Sequence, residues 1–206
     1  NILLWDWNTK RKVADLAGHQ AAVTALVYTP DAGFLVSASE DRLLRIWNSE
    51  TNQATRDIDA GCIVHALAIS QDGKSLFSAG DDDLIRKWDI ATGKATGTFK
   101  GHADTIVSLV LRGNTLFSGS LDRTVRRWDL ASGAHKQVLQ RGPGECDALA
   151  VHADGDLVAV AGHPLGAAYR KLDWKGPRRI ELFERLGAGM ASLHAASDNW
   201  PMPGGF

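Results

Sequence analysis

Serine, histidine and aspartate recur in this chain at matched spacings, and together they are the side chains of acyl-transfer chemistry. His19, Ser37 and Asp41 form one set, and His102, Ser118 and Asp122 form another. A serine beside a histidine that a carboxylate orients would be a hydrolytic nucleophile. Two observations turn the reading away from catalysis. No Gly-x-Ser-x-Gly turn is present to hold such a serine at a sharp, exposed strand-to-helix corner. The set also repeats. A catalytic site is needed once, whereas a structural bond is needed in every unit.

The elements that would position these residues repeat with them. SASEDRLLRIWN (37–48), SAGDDDLIRKWD (78–89) and SGSLDRTVRRWD (118–129) align without a gap. Their tryptophans, Trp47, Trp88 and Trp128, are spaced 41 and 40 residues apart, and Trp5 lies 42 residues before Trp47. Self-similarity at this period marks an array of small sheets. One such sheet cannot bury both faces alone, so neighbours must stack.

Each unit reads as four short strands. The first is an alternating apolar run: AVTALVY (22–28), IVHALAI (63–69), TIVSLVL (105–111) and CDALAVH (146–152). Turn residues follow at Asp31-Ala32-Gly33, Asp72-Gly73, Gly113-Asn114 and Asp154-Gly155. Glycine and asparagine tolerate the positive φ of tight hairpins. A second run comes next, then the Asp-bearing turn, the Trp strand, and a more polar fourth strand after turns such as Ala131-Ser132-Gly133. Many short strands at even spacing, with no helix-period segment between them, predict an all-β fold.

Composition narrows the function classes. The 206 residues are 44% hydrophobic, ample for a core, and carry a net charge of −1. That balance gives no whole-chain attraction to nucleic acid or to an anionic membrane. No apolar run approaches the roughly 20 residues that span a bilayer, and the strand-like opening ILLW is not a secretory signal. Two cysteines, Cys62 and Cys146, suggest no disulfide framework. A reducing intracellular setting, cytoplasmic or nuclear, is expected. His152, His163 and His194 are too scattered for a metal site. No cofactor is expected.

On these residues, from 1 to about 174, the chain resembles the WD-repeat β-propeller family. The resemblance implies about four four-stranded blades, with partial blades at both ends. The expected division is 1–17 as the last two strands of a blade, 18–59, 60–100 and 101–140 as blades, 141–183 as a degenerate blade, and 184–206 as the start of a further repeat or a disordered tail. The stretch 180–195 also fits a helix, although Gly187 and Gly189 weaken it. The family most often closes with seven blades, so an open arc cut from a longer propeller is expected.

The resemblance also gives the Ser, His, Asp and Trp residues a shared role, a hydrogen-bonded group inside each blade. Carried over, the groups are His19, Ser37, Asp41 and Trp47 after Gly18, and His102, Ser118, Asp122 and Trp128 after Gly101. An indole N–H only donates, an imidazole donates and accepts, and a carboxylate fixes the tautomer. The second unit keeps Ser78, Asp82 and Trp88, but Cys62 stands at the His position in a segment two residues shorter. That blade is expected to lack the full network, with Cys62 a small buried hydrophobe. The fourth unit has Pro143 at the His position and Leu172 at the Trp position.

The family's members act as scaffolds that hold peptides or proteins on a top face. The matching positions are Thr24, His65, Val107 and Asp147 in the first strands, and Glu40, Asp81 and Leu121 before the turn aspartates. The set is mixed, with acidic Glu40, Asp81 and Asp147 around apolar Val107 and Leu121, which suits a basic or mixed peptide. The expected function is therefore a protein–protein interaction scaffold, not an enzyme, with no small-molecule substrate. The alternative is a subunit of a nucleic-acid-associated complex. Lys10-Arg11-Lys12, Arg126-Arg127 and Arg178-Arg179 are its only support, and they are short and balanced by acids. Direct nucleic-acid binding is not expected.

Overall fold

A computed structural model describes residues 1–133, 135–141, 146–152 and 158–161. Among these residues all regular structure is strand. β1 (Ile2–Asp6) pairs with β2 (Arg11–Leu16). Three four-stranded antiparallel sheets follow, each in simple up-and-down order. The first comprises β3 (Val23–Tyr28), β4 (Phe34–Ser39), β5 (Leu43–Asn48) and β6 (Ala54–Asp59). The second comprises β7 (Val64–Ile69), β8 (Ser75–Gly80), β9 (Ile85–Asp89) and β10 (Ala95–Phe99). The third comprises β11 (Ile106–Arg112), β12 (Thr115–Ser120), β13 (Thr124–Asp129) and β14 (His135–Arg141). A final pair joins β15 (Ala148–Val151) to β16 (Val158–Ala161).

Burial explains the strand compositions. β4, β8 and β12 are buried along almost their whole length, on both faces. Sheets press on them from two sides, and in each a run of small residues (Ser37, Ala38, Ser39 in β4) follows larger ones. β6 and β10 are outer strands, mostly exposed, and accordingly polar.

Each sheet packs its two faces on different neighbours. In the first, Leu35 and Trp47 are cross-strand partners on one face, and Val36 and Ile46 on the other. Leu35 and Trp47 cluster with Ile2 and Leu16 of the preceding pair. Val36, Leu44 and Ile46 cluster with Val64, Leu76 and Trp88 of the second sheet. The second sheet's Phe77 and Ile85 then meet Ile106, Leu116 and Trp128 of the third. Trp47, Trp88 and Trp128 are thus each buried against the sheet before their own, where burial of a large side chain contributes about 2–3 kcal/mol. Trp5 shows the converse. It is 61% exposed, against 1% for Trp128, because no described sheet precedes its own. The first strands of successive sheets, β3, β7, β11 and β15, lie side by side. The described residues form an open, partial propeller.

One turn departs from the sequence reading. In Asp31-Ala32-Gly33 it is Ala32, not the glycine, that takes the left-handed backbone (φ 57°), at the place Gly73 holds in the next sheet (φ 70°). Asp154-Gly155, Pro143, Leu172 and the stretch 180–206 lie outside the described residues.

Candidate functional site

Antiparallel pairing sends the segments before β3, β7 and β11 and the turns β4–β5, β8–β9 and β12–β13 to one end of the stack. His19 lies in the first such segment and Asp41 in the turn, while Ser37 and Trp47 sit below them in the sheet. Trp47 Nε1 donates to Ser37 Oγ at 2.9 Å, Ser37 Oγ lies 2.7 Å from His19 Nε2, and His19 Nδ1 lies 2.8 Å from Asp41 Oδ2. One proton arrangement satisfies all three contacts. The indole donates to the hydroxyl, the hydroxyl to Nε2, and Nδ1–H to the carboxylate. Asp41 also accepts from the backbone N–H groups of Gln20 and Leu43. Burial opposes its ionisation, but those bonds and His19 outweigh it and hold the carboxyl down at about 2.

The third sheet repeats the arrangement. Trp128 donates to Ser118 at 2.8 Å, Ser118 lies 2.6 Å from His102 Nε2, and His102 Nδ1 lies 2.8 Å from Asp122. Thr124 adds a hydroxyl bond to Asp122 at 2.6 Å. Burial resists charge on Asp122, yet the bonds from Thr124 and His102 lower its pKa.

The order of bonds in both groups is that of a hydrolase triad. Access is what differs. Side-chain exposures are 2% and 9% for His19 and Asp41, and 0% and 8% for His102 and Asp122. Ser37 and Ser118 are wholly buried, and each oxygen already receives an indole N–H. No substrate carbonyl can reach them.

The second sheet is built differently. Trp88 still donates to Ser78 at 2.8 Å. No imidazole completes the group. Arg86 crosses from β9 instead and pairs with Asp82 at 2.6 Å, and its other terminal nitrogen lies 3.9 Å from Cys62 Sγ. Burial, with Asp82 beside it, pushes the Cys62 thiol up to about 11, so it is protonated and unreactive near neutrality. Arg86 was not legible in the sequence, which shows only that the histidine is missing. Thr124 and the bidentate Arg45–Asp57 pair (2.6 and 2.7 Å) carried no signal either.

The candidate top-face residues share the end that bears the networks. Glu40, Asp81 and Asp147 are exposed, and His65, Val107 and Leu121 are half-buried. His65 Nε2 lies 2.6 Å from Asp81 Oδ1. Thr24 is half-buried, and its hydroxyl donates to the Val64 carbonyl across the seam between sheets. Asp83 adds negative character, its pKa raised by burial and then by nearby Asp104, Asp82 and Asp122. Among the described residues no group of three or more His, Cys, Asp or Glu could hold a metal ion. No helix among them is long and apolar enough to cross a membrane.

The family model described as "WD domain, G-beta repeat" matches residues 10–48, 55–89 and 93–129, more than half of the chain. Elongator complex protein 2 of Saccharomyces cerevisiae is 49% identical over 49 residues, 22% of this chain and 6% of that protein. Periodic tryptophan protein 2 of Arabidopsis thaliana is 32% identical over 47 residues, 23% of this chain and 5% of that protein. The matched segments are thus a small fraction of these curated relatives. Among solved structures, the RRP9 WD40 repeats align with a TM-score of 0.61 at 33% identity, covering 66% of this chain and 42% of that one. U3-55K aligns with the same score and identity, covering 43% of its chain.

Proposed function

The chain belongs to the WD-repeat family, a family of protein-interaction scaffolds, and we propose that it presents the loop end bearing Glu40, His65, Asp81, Val107, Leu121 and Asp147 to a peptide or partner protein. The observation that carries this reading is the sealing of the Ser-His-Asp groups. The residues best suited to chemistry are consumed in holding sheets together, and what remains exposed is a mixed surface, with Glu40, Asp81 and Asp147 beside Arg42 and Arg123. Such a surface steers and registers a basic or mixed segment. One relative's name places that protein in a complex, and a place in an intracellular multi-protein assembly is part of this proposal.

The test is affinity capture with quantitative mass spectrometry, comparing wild type with the charge reversal E40K/D81K. Specific partners should fall at least tenfold with the double variant. Equal recovery from both proteins would contradict the assignment. A fluorophosphonate probe should also leave Ser37 and Ser118 unlabelled.

The nucleic-acid reading has less behind it. Lys12 is paired with Asp15 at 2.7 Å, and the Lys10 ammonium stands 3.5 Å from the Trp7 ring. Arg126 bonds Thr124, and Arg127 stands over Phe117. Binding to single- or double-stranded nucleic acid that weakened steeply with salt would favour that reading instead.

A further inference from the structure

The opposite end of the stack carries a cleft that the top-face reading does not use. It lies between the first and second sheets, with a volume of about 610 Å³ and a mostly apolar lining. Phe34, Ile46 and Ile90 supply the apolar floor, and Asp31, Asp72 and Asp89 stand on the rim. The volume falls within the roughly 300–1,000 Å³ of ligand pockets. The equivalent cleft between the second and third sheets is smaller, about 340 Å³, and more polar. The reason is in the hairpins. The first two sheets join their first strands by five-residue turns (29–33 and 70–74) that wall the cleft. The third has only Gly113-Asn114.

The rim has a definite charge character. Each carboxylate commits one oxygen to its own turn: Asp31 to Gly33 N–H, Asp72 to Lys74 N–H and Ser70, and Asp89 to Thr92. Arg56 is not available to an incoming ligand. It clasps the two sheets at the cleft's edge, donating to the carbonyls of Thr92 at 2.7 Å and Ala91 at 2.9 Å. The rim thus sets three carboxylates against two cations, Arg56 and Lys74, and only the Lys74 ammonium is free of backbone partners on its flexible stem.

We propose that this inter-sheet cleft is a second docking site, for a short peptide segment that sets an aliphatic side chain on the Phe34–Ile46–Ile90 floor and an adjacent Arg or Lys against the rim carboxylates. The site is independent of the top face.

The probe is a fluorescein-labelled peptide, Gly-Arg-Leu-Arg-Leu-Gly, read by fluorescence anisotropy. The variant is D31N/D72N/D89N. Asparagine keeps the turn acceptor and removes the charge, and Asn48 already plays that part in the first sheet, accepting from Glu50 and Thr51. Wild type should bind saturably, the triple variant at least tenfold more weakly, and E40K/D81K with unchanged affinity. Replacing either the arginines by Glu or the leucines by Ser in the peptide should abolish binding to wild type. These peptide controls need no variant to fold. The proposal is overturned if wild type shows no saturable binding, if the Glu or Ser peptides bind as well as the parent, or if binding follows E40K/D81K. In that last case the peptide sits on the top face.

Discussion

The first and third sheets hold their loop ends with an imidazole between a serine and an aspartate. The second holds its own with a guanidinium, and the difference runs through more than one residue. The segment into β7 spans only residues 60–63, whereas those into β3 and β11 span 17–22 and 100–105. In the second sheet the Ile63 carbonyl, which accepts the Asp81 N–H, passes so close to β8 that a Cβ on Gly80 would lie 1.8 Å from its oxygen. The first and third sheets carry Ser39 and Ser120 at that position, and both serines accept the N–H of the turn aspartate. Cys62 for histidine, Gly80 for serine and the Arg86–Asp82 pair thus occur together in the sheet with the short entry segment, and an arginine from the sheet itself holds the turn carboxylate.

The largest effect is expected at His102. His102→Ala leaves Ser118 and Asp122 buried without their partner, and an orphaned buried group costs about 1–3 kcal/mol. Urea unfolding should show a loss of about 3 kcal/mol. A loss below about 1 would erase the distinction between the sheets. Next comes Gly80→Ser, which makes the second sheet look like its neighbours in sequence. Because the obstacle is backbone, it should destabilise by about 2 kcal/mol. A neutral result would separate Gly80 from the short loop.

Arg86→Ala should cost only about 1 kcal/mol, since its pair with Asp82 is partly exposed. A loss equal to that of His102→Ala would make the two devices equivalent. Acid titration sharpens the contrast further. Asp41 has its pKa depressed from 3.8 to about 2 in the folded state. Its contribution is present above the ordinary carboxyl value and lost as pH falls from about 4 towards 2. Asp41→Asn should flatten the fall of stability in that window. An unchanged acid limb would remove the His19–Asp41 bond from the account. The smallest expected effect is a gain: Ala32→Gly relieves a left-handed alanine and should stabilise by up to about 1 kcal/mol.

The architecture was legible because its cause is periodic. A tryptophan every 40 or 41 residues, always preceded by the same serine and turn aspartate, carries both the sheet and its packing direction. The His–Ser–Asp–Trp groups were legible through family resemblance, and their burial is what separates them from a triad. Arg86 and Gly80 were not legible, because their meaning depends on where a shortened loop passes in space. The exposed Trp5 looked like its fellows in sequence, but its environment depends on what stands before its sheet. The inter-sheet cleft was invisible for a similar reason. Phe34 at the start of β4, Asp72 in the turn before β8 and Ile90 just after β9 are brought together only by stacking.

The central claim is that the Ser-His-Asp groups are locks between loop and sheet. A double-mutant cycle on His102 and Asp122, read by urea unfolding of H102A, D122A and H102A/D122A, tests it most directly. The account predicts a coupling energy of about 1–3 kcal/mol. Additive losses, with coupling below about 0.5 kcal/mol, would mean that the two residues act separately and that the lock does not exist.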